Sequence, residues 1–418
     1  MYESFTLSNG LRVVAEPISH FRSVSVGLWI GAGSAYEQPE EGGLSHFIEH
    51  MLFKGTKRRS ARDIADEIDG IGGQINAFTS KECTCYYAKV IDEHLPVALD
   101  VLCDLFLNSV IDEAEMEKER GVILEEIAMV EDTPEDIVHD LLITATLDGN
   151  PYSKTILGKA ELIQTYRREH LVSFRDRHYR PDNTVLAVAG RYDSNALRAL
   201  CEEHLGGFAP AATPEENQTS DIFLPNLLRK PKDIEQVHLC IGFPGIPLGH
   251  ADLYPLTVFN NVFGGGMSSR LFQRIREESG MAYTVYSYPT PYPGCGIYTL
   301  YAGTSRQNAE QVLTMLREEV ERALANGISE EELIKAREQL KGGYILGLET
   351  PSSRMSNIGR SELLLNRQQA EDEVIEKINR VTRDDVQRII EALLGRENAA
   401  SAVGKNADNI PEEFLLWR

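Results

Sequence analysis

The sequence predicts an α+β fold made of two duplicated domains, each a sheet with helices packed on one face. Three observations predict it. β-type runs mix with amphipathic helical stretches without strict βαβ alternation. The segment "IDEAEMEKER" beginning at Ile111 returns as "ISEEELIKAR" beginning at Ile328, an offset of 217, each opening a long charged helix. Each half also carries a strand pair followed by an amphipathic helix, and closes on a short apolar strand ending in Gly plus a basic residue, "AVAGR" to Arg191 and "SAVGK" to Lys405.

From the N-terminus, Asn9-Gly10 between two alternating runs predicts a hairpin. "SVSVGLWIGAG" reads as a strand, and "GGLSHFIEHMLFKG", residues 42–55, as a helix rich in apolar residues. "GGQINAFTSKECTCYYAKV" gives a strand pair, followed by helices over 92–108 and 113–131. Asp132-Thr133-Pro134 ends the second of these, and Glu135 opens another. The stretch 207–233 is rich in Pro, Ala, Asn and Thr without a sustained period, so it reads as a linker between domains 1–206 and 234–418. In the second half "MAYTVYSYPTPYPGCGIYTLYAGTS" repeats the strand pair.

Composition narrows the function. Forty-two basic against sixty-four acidic residues give a net charge of -22, which repels a nucleic-acid backbone or an anionic membrane surface. No apolar run reaches the eighteen or so residues of a membrane span, and the first residues lack the basic start and apolar run of a signal peptide. Six scattered cysteines without a CxxC suit a reducing compartment, so a cytoplasmic location is expected. Cys83 and Cys85, on alternate strand positions, read as core thiols. "FGGGMSSRLF" lacks the GK[ST] ending of a phosphate loop and reads as a flexible glycine loop.

The chemistry concentrates in residues 42–55. On a helix, His46 and His50 share a face, so each imidazole can offer a nitrogen to one ion about 2.0–2.1 Å away, as zinc requires. Glu49 stands beside them, close enough to take a proton from a water in an open coordination position. A third, acidic ligand is expected on another element. Glu119 and Glu126, seven apart on the 113–131 helix, lie on one face of it. The duplication supplies a control: at the offset of 217, Glu119 and Glu126 meet Ala336 and Gly343, and at an offset of 210, His46, Glu49 and His50 meet Leu256, Phe259 and Asn260. All five candidates are absent together from the second copy, which marks them as one functional unit rather than parts of the shared packing.

HxxEH, with a glutamate seventy-six residues past its second histidine and another seven before that one, resembles the inverted-motif zinc peptidases of the pitrilysin and insulinase type. The chain is most similar in length to the processing-peptidase β subunit and its compact bacterial relatives. The resemblance implies that His46, His50 and Glu126 bind one zinc ion per subunit, that Glu49 is the general base, and that Glu119 orients a ligand from behind. It also implies that Arg276 and Tyr283 reach the substrate and the developing oxyanion, and that Asn76, Ala77 and Phe78 face an extended peptide added to a sheet edge. The implied activity is zinc endopeptidase action on extended or unfolded peptides in a closed chamber. The implied assembly is a homodimer in which each subunit's Arg276 and Tyr283 complete its partner's site. Two rivals are a non-catalytic scaffold or partner subunit and a structural zinc module, the latter requiring four protein ligands where three are found.

Overall fold

The computed structural model describes residues 2–209 and 222–417. Strands β1 (Glu3–Thr6), β2 (Arg12–Pro17), β3 (Ser23–Ile30), β4 (Gln74–Thr79), β5 (Thr84–Ile91) and β6 (Thr184–Gly190) form a six-stranded sheet in the order β1-β2-β6-β3-β5-β4. Strands β7 (Leu227–Pro231), β8 (Gln236–Pro244), β9 (Ala282–Tyr292), β10 (Cys295–Ser305) and β11 (Ala399–Gly404) form a second sheet in the order β7-β11-β8-β10-β9. The two sheets match strand for strand apart from β1. In each the pair involving the last strand, β2 with β6 and β7 with β11, is parallel, and the other pairs are antiparallel. The Asn9-Gly10 hairpin forms as expected, closed by Leu7 N donating to Leu11 O at 2.8 Å, with Gly10 at φ +92°.

The helices repeat as well. Between β3 and β4 lie α1 (Leu44–Leu52) and α2 (Ala61–Asp69); between β5 and β6 lie α3 (Leu95–Asn108), α4 (Glu113–Glu131), α5 (Pro134–Thr146), α6 (Ala160–Ile163) and α7 (Arg168–His178), and α8 (Ser194–Leu205) follows β6. The second copy has α9 (Leu253–Phe263) before β9. Between β10 and β11 it has α10 (Ala309–Asn326), α11 (Glu330–Gly347), α12 (Pro351–Leu365), α13 (Glu371–Arg380) and α14 (Arg383–Leu394), with α15 (Glu412–Leu415) after β11. The helix expected from residue 92 starts at Leu95, after a single 3-10 turn over Asp92–His94, because Pro96 sits comfortably only in a first helical turn.

Packing cuts across the contiguous ranges 1–206 and 234–418, which follow the repeats. One compact unit comprises residues 2–128, 154–209 and 346–370; the other comprises 129–153, 222–345 and 371–417. Thus α12, from the second repeat, packs on β6, β3 and β2, while α5, from the first, packs on β11 and β8. The reason lies in the central strands. Every residue of β6 and of β11 is buried, so both faces of each sheet need an apolar cover.

In the first unit one sheet face, with Val13, Val24, Val26 and Leu28, packs under Phe47, Met51, Leu99 and Leu102 of α1 and α3. The opposite face, with Val14, Trp29, Cys85, Val185 and Ala187, takes Met355 and Ile358 of α12. Each Val, Leu, Ile, Phe or Met among these contributes about 1.5–3 kcal/mol when fully buried. The approach is close: a Cβ on Gly27 would fall 2.7 Å from Met355 Sδ, and one on Gly359 would fall 2.3 Å from Trp29 Nε1. In the second unit Ile137, Val138 and Leu142 of α5 cover Cys240, Tyr301, Ala399 and Val403. Besides the helices expected on one face, then, each sheet carries a single helix on the other.

Two features of the proposed linker differ from expectation or escape it. Leu227–Pro231 forms β7, an edge strand pairing parallel with β11, where its terminal Pro231 is tolerated. Residues 210–221 lie outside the described residues. Cys83 and Cys85 are buried free thiols, as expected. Among the described residues no helix is long and apolar enough to cross a membrane.

Candidate metal centre

The site is built on α1. Its N-terminus is fixed by Glu37, a buried carboxylate that accepts from Gly43 N at 2.9 Å and Ser45 N at 2.8 Å. Burial pushes the Glu37 carboxyl up to about 8, while these two amides pull against that shift. Gly43 takes φ +91°, and a Cβ there would sit 2.5 Å from Leu157 O, so only glycine suits this entry to the helix. From there α1 buries Leu44, Phe47, Ile48, Met51 and Leu52, leaving His46, Glu49 and His50 only partly covered. In α4, Met116, Glu119 and Ile123 form the buried stripe, and Glu126 continues it two turns beyond Glu119.

These two helices bring their polar groups together. His46 Nε2 and His50 Nε2 lie 3.5 Å and 3.6 Å from the same oxygen, Glu126 Oε2. The donor atoms of these three residues all lie within 4.8 Å of one another, and among the described residues this is the single group of its kind. Tetrahedral bonds of 2.0–2.1 Å would separate donors by about 3.4 Å, so two imidazoles and one carboxylate at these spacings fit a zinc ion with one position left over.

The surrounding groups favour the ligating state. Glu119 Oε2 lies 3.1 Å from His50 Nδ1, and because a carboxylate only accepts, that nitrogen carries the proton and Nε2 presents a lone pair. Glu119 Oε1 is in turn held by Lys54 Nζ at 2.7 Å. His46 Nδ1 is buried without a hydrogen-bond partner among the described residues. Burial, with a smaller contribution from His50, pushes the His46 imidazole down to about 4, so it is neutral at pH 7 as a metal ligand must be.

Glu49 lies beside this group. Burial raises its carboxyl above the usual range and the charge of Glu126 adds to that, while a hydrogen bond from Thr79 and the proximity of His50 oppose the rise.

The other sequence-predicted residues fall in two places. Asn76, Ala77 and Phe78 lie on β4, the edge strand of its sheet, paired with β5 alone. Burial alternates along it, so Asn76 and Phe78 point to one face and Ala77 to the other; what the three share is the open backbone edge. Phe78 packs edge-on against Trp29 with ring centroids 5.5 Å apart. Arg276 and Tyr283 belong to the second unit. Arg276 rides a π-helical turn, Phe272–Glu278, rather than an ordinary helix, and its guanidinium stacks over Phe272 and Tyr283 at 4.7 and 5.0 Å from the ring centres. Tyr283 is 73% exposed. Arg276 also borders a cavity of about 490 Å³ lined by Asn260, Gly264 to Gly266 and Tyr288, which places the glycine loop at a cavity wall.

Sequence reasoning passed over Glu37, Lys54 and Thr79. Lys54 alone left a trace, standing one helical turn after His50. Glu37 follows the 3-10 turn Ser34–Tyr36 in the irregular connection before α1, and Thr79 comes from a strand whose meeting with α1 has no sequence spacing to reveal it.

Comparison with known proteins identifies the family. Residues 12–160 match the model of the insulinase family, Peptidase family M16, and residues 165–340 match that of the Peptidase M16 inactive domain. A Bacillus subtilis protein named "Uncharacterized zinc protease YmxG" is 43% identical over 98% of this chain and 100% of its own length. Among solved structures, a protease from Helicobacter pylori shares the fold with a TM-score of 0.89 at 21% identity, covering 97% of this chain and 99% of that one. A chain of complex III from Candida albicans does so with a TM-score of 0.84 at 21% identity, covering 98% and 97%. With the inverted histidine pair in place and the homology running along nearly its entire length, the chain belongs to the insulinase family of peptidases, family M16.

Proposed function

We propose that this protein is a zinc-dependent endopeptidase acting on extended or unfolded peptides. The observation that carries the reading is the convergence of His46, His50 and Glu126, from two separate helices, at the spacings of a tetrahedral site with Glu49 alongside. The name of the Bacillus relative supports it. His46 Nε2, His50 Nε2 and Glu126 Oε2 would hold the ion, with Glu119 keeping His50 in the right tautomer. Zinc held there would supply Lewis acidity and a water that is acidic near neutral pH.

Glu49 takes a proton from the attacking water and returns it to the leaving amine, a role suited to a carboxyl whose affinity for protons burial has increased. The open edge of β4 offers main-chain hydrogen bonds to an extended peptide, which gives broad sequence tolerance. Arg276 and Tyr283 are the donors proposed for the oxyanion. The proposed assembly is a homodimer, with these two side chains completing the partner's site. The fold is shared with a chain of complex III as well as with a protease, so fold alone does not decide between a peptidase and a scaffold; the proposed metal-ligand group favours the peptidase.

The test is Glu49→Gln. It should bind zinc as the wild type does and lose turnover by about 10²–10⁴-fold on a mixed peptide library; cleavage at the wild-type rate would remove Glu49 from this role. For the assembly, mixing inactive His46→Ala and Arg276→Ala proteins should restore activity through mixed dimers, and no recovery after reassembly argues against shared sites.

A further inference from the structure

Thr79 ends β4, and its hydroxyl reaches the candidate site from the sheet edge. It donates to Glu49 Oε2 at 2.5 Å. The neighbour across the ladder offers no competing bond. Thr84, paired with Thr79, gives its own proton to Ala32 O at 2.8 Å and stands 3.4 Å from the Thr79 oxygen, beyond the range of a good O–H···O bond.

The backbone that carries this hydroxyl is held on both sides. Before it lies the β4–β5 ladder; after it, Ser80 N donates to Cys83 O at 2.8 Å, and Ser80 Oγ accepts from the amides of Glu82 and Cys83 at 3.1 and 3.0 Å. A β-branched side chain on such a backbone has little rotational freedom. Thr79 is therefore a fixed donor, carried by the edge strand and aimed at a carboxylate on α1.

We propose that Thr79 is a positioning residue for the hydrolysis: by holding Glu49 Oε2 it leaves Oε1 turned toward the reacting water, and it ties that base to the strand on which the peptide lies. The proposal rests on the peptidase reading above. A peptide added to β4 has its scissile carbonyl placed relative to that strand. Thr79 gives the base the same frame of reference, and misplacement of reacting groups by about 1 Å can cost on the order of 10²-fold in rate.

The experiment compares zinc-loaded wild type, Thr79→Val, Thr79→Ala and Thr79→Ser for kcat and KM on a peptide, for zinc affinity by chelator competition, and for Tm. Removing the hydroxyl should lower kcat by about 10–100-fold, the usual cost of losing a supporting hydrogen bond at a metal site. KM and zinc affinity should stay near wild type, and Thr79→Ser should retain most of kcat. Thr79→Ala and Thr79→Ser decide the matter even where the valine crowds the fold.

Three results would overturn the proposal: wild-type kcat without the hydroxyl, an equal loss in Thr79→Ser, or a loss of zinc affinity that tracks the loss of kcat. A wild type whose turnover does not depend on zinc would instead sink the peptidase reading itself.

Discussion

The two repeats share one sheet order but treat the same helix in opposite ways. In the first, α1 presents His46, Glu49 and His50 to α4. In the second, α9 carries Leu256 and Phe259 at the positions of His46 and Glu49, both buried, with Phe259 stacked on Phe263 at 4.9 Å and near Tyr298 at 5.8 Å. Asn260, at the position of His50, accepts a hydrogen bond from Ser287 at 2.8 Å. In sequence, α11 has Ala336 and Gly343 where α4 has Glu119 and Glu126. The architecture therefore closes without an ionisable side chain at any of these positions. The first copy instead keeps a buried imidazole nitrogen without a partner among the described residues, at a cost of about 1–3 kcal/mol. A burden carried by one repeat and absent from its twin points to the proposed chemistry rather than to packing.

Writing the second copy's residue into the first tests this most severely. His46→Leu removes one of the three proposed ligands, so zinc affinity should fall by more than the roughly 10–100-fold typical of losing an outer partner. The metal-free protein should meanwhile become more stable, by about 1–2 kcal/mol in urea unfolding. A metal-free His46→Leu protein less stable than wild type would break the comparison, because the imidazole would then be contributing to the fold.

The same pair of proteins should differ with pH. The folded-state pKa of His46, about 4, lies below the unfolded value of 6.5, so the unfolded chain binds the proton more readily. The metal-free wild type therefore loses stability as pH falls from 6.5 toward 4. His139 and His178, also pushed down to about 4 by burial, impose the same trend on both proteins. The slope in His46→Leu should be shallower by the contribution of His46 alone, and equal slopes would show that this imidazole is not buried as described.

Gly359 and Trp29 test the second face of the first sheet. A Cβ at residue 359 would sit 2.3 Å from Trp29 Nε1, so Gly359→Ala should force α12 or the indole aside and cost about 1–3 kcal/mol, measured by chemical denaturation. An unchanged midpoint would mean that α12 can lift from β3 without penalty.

What could be seen in the sequence follows from range. The duplication was legible because strand pair, long helix and closing strand recur in order, and the proposed metal ligands because i,i+4 and i,i+7 spacings fix helical faces before any fold is known. The exchange of α5 and α12 was not. Ile137, Val138 and Leu142, like Met355 and Ile358, announce a buried helix face, but an apolar stripe does not say which sheet covers it. Thr79 escaped for a related reason: it acts on α1 from a strand joined to it by tertiary packing alone. The π-helical turn under Arg276 was equally hidden, since one wider turn leaves the pattern of apolar residues almost unchanged.

The smallest predicted effect concerns Gly343, the counterpart of Glu126 in the second copy. It lies inside α11, and a Cβ built on it meets nothing within 4 Å. A glycine in a helix interior costs about 0.5–1 kcal/mol relative to alanine, through the freedom it gives the unfolded chain. Gly343→Ala should therefore raise stability by that amount, with zinc affinity and turnover unchanged. A gain would mean that losing the ligand left this position under no packing demand, so that the difference between the copies is chemical alone. A loss in stability or turnover would show that the second copy uses the bare backbone at Gly343, and the second repeat would then have a constraint of its own where the first has its proposed metal ligand.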